Sequence, residues 1–346
     1  MAFDLLYNKY QSSKTSFLDW SKIELIDNDF VYKYDNLNNP TNTLINDKIA
    51  ILKLNGGLGT SMNCIGPKSL LEAKDGYTFL DIIINQTTKP LILMNSFNTD
   101  METIKYLSEK YPSHKIKLFN QSKHPRILSS TNQPLDINNK NHCAPPGHGD
   151  LLISLYNSGL LDDLINDGIE YVFISNIDNL GAYYDEKLFN DIYTNNIDFA
   201  IELTQKTLLD NKGGTLIKYN HKYMMFEIAQ CPEEYLDEFK NINKFRYFNT
   251  NNIWIKLKSI KQLIIDQPNF IEDVDLIINK KTLNDGQECI QLEYAIGGMI
   301  KFFDKIKCYD VPRERFLPVK THDNLNLIKT SDYELTAEWK LKKINQ

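Results

Sequence analysis

Apolar residues recur along this chain in two alternating rhythms. Short, largely apolar runs at 49–54 (IAILKL), 90–94 (PLILM), 116–119 (IKLF), 171–175 (YVFIS), 199–204 (FAIELT) and 253–256 (IWIK) read as buried strands. Between them, apolar residues return at helical spacing over 79–86, 99–110, 149–158, 187–194, 232–239 and 260–265. Alternation of strand and helix from Ile49 onward predicts an α/β fold: a Rossmann-like, mixed but mostly parallel sheet with helices on both faces. Residues 214–229 alternate around 219–222 and predict a hairpin. Upstream, 3–10 has helical spacing, 19–34 is irregular, and 36–47 (NLNNPTNTLIND) is a polar, turn-rich connection. From 266 to 318 the pattern is hard to read.

Composition narrows the class without naming it. The 346 residues can bury a large core, and 42% hydrophobic with 24% charged content is ordinary for a soluble globular protein. A formal charge of -6 argues against a nucleic-acid-binding surface, and any pocket for a polyanion must gather its cations locally. The five cysteines are scattered, with no CxxC pair for zinc and no dense spacing for a disulfide framework, so a reducing compartment is expected. The first residues, MAFDLLYNKYQSSK, lack the pattern of a signal peptide, and no run approaches the ~18 apolar residues of a membrane span. A cytoplasmic protein without membrane attachment is the expectation.

Candidate chemistry sits where predicted strands end. After the strand at 49–54 come Gly56, Gly57 and Gly59, which let a backbone bend sharply and present its N–H groups to an anion; Lys68 follows nine residues later. No Gly-Lys-Ser/Thr closes the loop and the glycine spacing is not that of a dinucleotide fingerprint, so it is neither a Walker loop nor a dinucleotide site. A glycine turn alone would be only a tight connection; strand, glycine cluster and lysine together favour a phosphate cradle. Asn120-Gln121-Ser122 ends the third strand, and a side-chain amide there can read a base edge, although NQS alone is more often a plain turn. Pro145-Pro146-Gly147-His148-Gly149-Asp150 is a stiff lead into a helix N-terminus, where N–H groups and an imidazole favour an anion; a lone histidine there would more often be structural. Asp178, in SNIDNLGA, leaves the strand at 171–175 as a hard-oxygen ligand suited to Mg²⁺, or else simply caps the next turn.

The longer strings are more specific than their parts. LNGGLGTSMNCIGPKS at 54–69 resembles the signature loop of UTP–glucose-1-phosphate uridylyltransferases, the eukaryotic-type UDP-glucose pyrophosphorylases. FNQSKHPR at 119–126, PPGHGD at 145–150, SNIDNLGA at 175–182, EIAQ at 227–230, FNTNN at 248–252 and VPRERFLPVK at 311–320 follow in the family's order, so the resemblance runs from about Trp20 into the early 330s. It implies a nucleotide-diphospho-sugar transferase fold and the conversion of UTP and glucose 1-phosphate to UDP-glucose and pyrophosphate with Mg²⁺ on Asp178. Leu54, Asn55, Gly56, Gly57, Gln121, Gly147 and Asn176 would hold the nucleotide, with Gln121 on the uracil. His148, Asn176, Glu202, Gly214, Asn249 and Asn251 would face the sugar phosphate, although Glu202, Asn249 and Asn251 read equally well as scaffolding. Lys68 and Lys320 would neutralise the phosphates, Lys320 in the catalytic role; by default a lysine after Pro-Val would be a solvated surface charge.

Two departures stand out. Asn63 occupies a position where the family usually has glycine, and Lys74 one where arginine is usual. Family members also continue past this region into a left-handed β-helix domain. The sequence is therefore read as a helical leader (1–45), a catalytic domain (46–335) and a tail (336–346) without that domain, expected to be a monomer. The competing readings are a UDP-sugar or UDP-N-acetylhexosamine pyrophosphorylase, whose loops tend to read GGxGTRLG, and a non-catalytic nucleotide-sugar binding protein.

Overall fold

Alternate residues of the run 49–54 face opposite ways, and both faces are covered. Ala50, Leu52 and Leu54 pack into one hydrophobic cluster, Ile49 and Ile51 into another, and the sheet runs between the two. A computed structural model of the chain describes residues 2–13, 17–40, 43–59, 62, 66–210 and 213–344. Its central sheet has eight strands, numbered here in chain order: β1 (Val31–Lys33), β2 (Ile49–Leu54), β3 (Leu91–Asn95), β4 (Lys117–Asn120), β5 (Tyr171–Asn176), β6 (Phe199–Gln205), β7 (Tyr247–Lys256) and β8 (Ile306–Asp310). Across the sheet the order is β1-β8-β6-β7-β5-β2-β3-β4. Every neighbouring pair is parallel except the two that β7 makes, with β5 and with β6. The mostly parallel sheet predicted from the alternating pattern is what the chain forms.

Helices at Phe79–Gln86, Asp100–Lys110, Leu151–Asn157, Leu160–Asn166, Glu186–Thr194 and Leu257–Asp266 cover the sheet. The first begins with a capping box: Thr78 Oγ1 accepts from the Asp81 N–H, and Asp81 accepts from the Thr78 N–H. In the sheet interior Trp254 is fully buried and stacks on Phe173 at 4.2 Å between centroids. Lys53 is buried as well; its Nζ donates to Ser175 Oγ (2.7 Å) and to the Ala182 carbonyl (2.6 Å), and burial brings the ammonium down to about 7.

The predicted hairpin is present as Thr215–Tyr219 and Lys222–Phe226, turned by Asn220 and His221 at φ 49° and 64°. Three expectations change. The irregular stretch 19–34 supplies Ile23–Glu24, paired with that hairpin, and edge strand β1. The helix expected over 232–239 is a 3-10 turn followed by a single α-turn, Leu236–Phe239. The unreadable stretch after 266 holds a second hairpin (Ile277–Thr282 with Glu288–Glu293), a 3-10 helix (Ile296–Phe302) and β8. Asn63 lies outside the described residues.

Candidate active site

Strands β2, β3, β4, β5 and β6 share one direction, so their carboxyl ends open on the same edge of the sheet, where α/β folds place their ligands. A cleft of about 420 Å³ opens there. Its wall brings together Leu54, Gly56, Gly57, Lys68, Gln121, Gly147, His148, Asn176 and Asp178, residues separated by up to 124 positions (54 to 178).

The glycine loop folds back on itself: Lys68 N donates to the Gly57 carbonyl (3.1 Å), Gly59 N to the Gly66 carbonyl (3.3 Å), and Leu58 bridges Pro67. This return places Lys68 beside the strand end, where its Nζ lies 2.5 Å from Asp178 Oδ2. Gly56 leaves no room for a side chain, because a β-carbon would strike the Gln121 amide. At Gly57 the space is open. The Asn55 N–H donates to the Met94 carbonyl and its side-chain amide to Asn95 Oδ1 (2.7 Å) and Thr103 Oγ1 (3.0 Å), so its side chain braces the loop from behind and does not line the cleft.

The second wall is laced to the segment 293–296. Gly149 N donates to the Tyr294 carbonyl (2.9 Å) and Tyr294 N to the Pro146 carbonyl (3.0 Å). Gly147 adopts φ 84°, and a β-carbon there would lie 2.7 Å from the Tyr294 oxygen. The Ile296 N–H donates to His148 Nδ1 (3.1 Å). Exclusion of water, reinforced by the positive charge of Lys320, holds the imidazole down at about 4, so it is neutral at ordinary pH. With Nδ1 accepting, the ring proton belongs to Nε2, which is left as a donor. Buried Asp150 ties this wall to the amide loop: it accepts from Ser122 N (2.6 Å), Ser122 Oγ (3.1 Å) and the Tyr294 hydroxyl (3.0 Å).

On the far side, β7 carries a bulge. Asn252 is opposite Glu202 but Asn249 is opposite Leu203, so Thr250 and Asn251 have no partners of their own. Asn251 sits at φ 59°; its N–H donates to Asn249 Oδ1 (2.8 Å), its amide donates to Asn176 Oδ1 (3.1 Å), and its own Oδ1 is buried with no partner. The bulge thus groups Asn176, Asn249 and Asn251. Gly214 packs directly on the Glu227 carboxylate. Burial pushes that carboxyl above its usual range, while the charges of Lys320 and Lys206 pull it back. Glu227 escaped the sequence reading; only its place in EIAQ marked it.

Glu202 is a correction. It is fully buried, and its two oxygens accept from Arg315 Nε and Nη2 (2.7 Å each), Asn252 Nδ2 (3.0 Å) and Trp254 Nε1 (3.0 Å), which leaves little of it for a sugar. Lys320 is exposed and is not one of the residues lining the cleft, although its charge acts on His148; the Val319 N–H donates to the Asp178 carbonyl (3.1 Å).

A glycine loop after β2 and an amide-bearing loop after β4, opening on one edge of a mostly parallel sheet, fit the class of α/β nucleotidyltransferases. The sequence model for UTP--glucose-1-phosphate uridylyltransferase matches residues 1–346, and the chain belongs to that family. The potato (Solanum tuberosum) UTP--glucose-1-phosphate uridylyltransferase is 45% identical over 352 residues, covering 96% of this chain and 73% of its own. The enzyme of that name from Saccharomyces cerevisiae is 45% identical over 360 residues, covering 96% and 70%. Among solved structures, a UDP-glucose phosphorylase from Trypanosoma brucei superposes with a TM-score of 0.91 at 34% identity, covering 99% of this chain and 77% of that one. A mutant UDP-glucose pyrophosphorylase from Leishmania major in complex with UDP-Glc gives 0.90 at 32% identity, with the same coverage.

Proposed function

We propose that this chain joins UTP and glucose 1-phosphate to give UDP-glucose and pyrophosphate. Family membership over its full described length supports the activity, and the observation that carries it is the shared cleft: glycine cradle, base-reading amide, neutral histidine donor and strand-end aspartate line one space. A phosphate oxygen of the sugar phosphate attacks the α-phosphorus of UTP, and pyrophosphate leaves in line with it. That nucleophile is already an anion near neutral pH, so catalysis consists of bringing two polyanions together and offsetting charge.

In this reading the 54–57 backbone and Gln121 seat the nucleotide, and His148 Nε2–H orients the sugar phosphate. Asn249, Asn251 and Glu227 offer donors and acceptors to sugar hydroxyls. Lys68 and Lys320 neutralise phosphate oxygens. Asp178 fits Mg²⁺ as a single hard carboxylate at the cleft wall, and such a cation takes its remaining ligands from phosphate and water; no cluster of three His, Cys, Asp or Glu occurs among the described residues. Asp178 would hold Mg²⁺, whose charge would offset that of the phosphates, and Lys68 would exchange its contact with Asp178 for phosphate.

No helix among the described residues is long and apolar enough to cross a membrane. Cys143, Cys231, Cys289 and Cys308 are buried free thiols, which supports a reducing, cytoplasmic setting.

The test is pyrophosphate release from UTP with a panel of sugar 1-phosphates, run with the unaltered protein and with Lys320→Ala. Glucose 1-phosphate is expected to be the preferred acceptor and Lys320→Ala to lower turnover by roughly 10²-fold or more. Preference for an N-acetylhexosamine 1-phosphate, or near-normal turnover by Lys320→Ala, would overturn the substrate or the lysine assignment respectively.

A further inference from the structure

The segment that ends in Lys320 has little structure of its own: a 3-10 turn, Arg313–Arg315, then an extended run. Buried groups beneath it hold its backbone. The Asn179 side chain, fully buried, donates through Nδ2 to the Arg315 carbonyl (3.2 Å) and to Asn252 Oδ1 (3.2 Å). Its Oδ1 accepts from the Leu317 N–H (2.8 Å) and the Gly181 N–H (3.2 Å). Asn252 Nδ2 donates to the same Arg315 carbonyl (3.2 Å). Below, the Arg315 guanidinium forks onto both oxygens of Glu202 and donates to the Tyr183 carbonyl (3.1 Å).

The members of this cluster adjoin the site in sequence: Asn179 follows Asp178, Asn252 follows Asn251, and Arg315 precedes Lys320 by five positions. Asn179 and Glu202 do not line the cleft, so these side chains reach the reaction only through the groups they hold. Charged and amide groups paired with one another in a buried interior form a stiff support, and an exposed lysine on an irregular segment needs one.

We propose that Asn179 and the Glu202–Arg315 pair are positioning residues that fix the Lys320 segment against the Asp178 turn, so that the lysine meets the phosphates at the geometry the transition state requires. The proposal rests on the reading that Lys320 acts on the phosphates. In-line transfer is sensitive to placement, since a shift of about 1 Å can cost on the order of 10²-fold. Asn179 is the best probe, because its removal leaves no unpaired charge in the interior.

A double-mutant cycle tests this in the full chain, with kcat and KM for UTP measured for Asn179→Ala, Lys320→Ala and the double variant, and folding checked by thermal unfolding. Asn179→Ala should lower kcat by about 10- to 100-fold with KM for UTP within about threefold, and should cost less than about threefold more when added to Lys320→Ala. If Asn179→Ala does not fold, Arg315→Lys takes its place in the same cycle, since an ammonium keeps the charge on Glu202 but cannot fork across it. A kcat loss that persists in full in the Lys320→Ala background would overturn the clamp while leaving Lys320 in the mechanism. Unchanged turnover in Lys320→Ala alone would remove the lysine assignment and the clamp with it.

Discussion

Gln121 holds its amide against Gly56, where any β-carbon would intrude, so the amide proposed to read the base and the glycine that makes room for it form one unit. Gln121→Ala should raise KM for UTP by roughly tenfold, the scale of one well-made hydrogen bond, and should narrow the preference for UTP over CTP; initial rates with both nucleotides read this out, and unchanged discrimination would refute the base-reading role. His148 makes a second prediction at this scale. Its folded value, about 4, lies below the ordinary value of about 6.5, so the neutral ring contributes stability that is present above pH ~6.5 and lost as the pH falls toward 4. Across about pH 6 to 9 its protonation does not change, and kcat/KM profiles of the unaltered enzyme and His148→Asn should therefore run parallel. An inflection near pH 6.5 that vanishes in the variant would contradict the neutral-donor assignment. Gln121 and Asp178 stood out because each lies in a short string just after an apolar strand, and His148 because PPGHGD leads into a helix. Glu202 stayed open between sugar partner and scaffolding because its partner Arg315 is 113 positions away, and a carboxylate on a strand looks the same in sequence whether a sugar or a guanidinium meets it.

The bulge in β7 shows what two extra residues do to an element. It holds Asn251 in the left-handed region, with its amide on Asn176 Oδ1 and its own Oδ1 buried without a partner. Glycine accepts that backbone without a side chain, whereas a β-branched residue does not. Asn251→Gly should therefore keep its thermal midpoint yet raise KM for glucose 1-phosphate several-fold, while Asn251→Val should lose stability by about 1–3 kcal/mol. Unfolding scans with KM for both substrates decide this; a glycine variant with unaltered KM would remove Asn251 from the sugar side. The strand itself was only half visible, because FNTNN at 248–252 reads as a polar segment before the apolar run 253–256 when it is the bulged part of the same strand. Helices covering the sheet were easier to read, since an apolar stripe against a core must repeat at the helical period.

At the scale of the molecule, the stretch before residue 45 does more than precede the catalytic sheet. β1 closes the β8 edge, and Ile23–Glu24 covers the outer strand of the Thr215–Phe226 hairpin. A chain beginning at residue 38 would expose both edges, and uncovered strands recruit other chains. It should unfold at a lower temperature and aggregate on concentration, as scattering and thermal scans would show; a monodisperse product with an unchanged midpoint would make the leader dispensable. Composition could not reveal this role, because strands of two or three residues leave no periodic trace. The sheet's centre was legible because its strands are apolar on both faces, as in β2 and β5.

The central claim is a transfer of the uridylyl group to a sugar phosphate, and the fate of label in UTP tests it most directly. With UTP labelled at the α-phosphorus and glucose 1-phosphate in excess, the label should appear in UDP-glucose while the pyrophosphate formed in equal amount carries none. Label recovered only as UMP or UDP, or nucleotide bound without pyrophosphate release, would contradict the account.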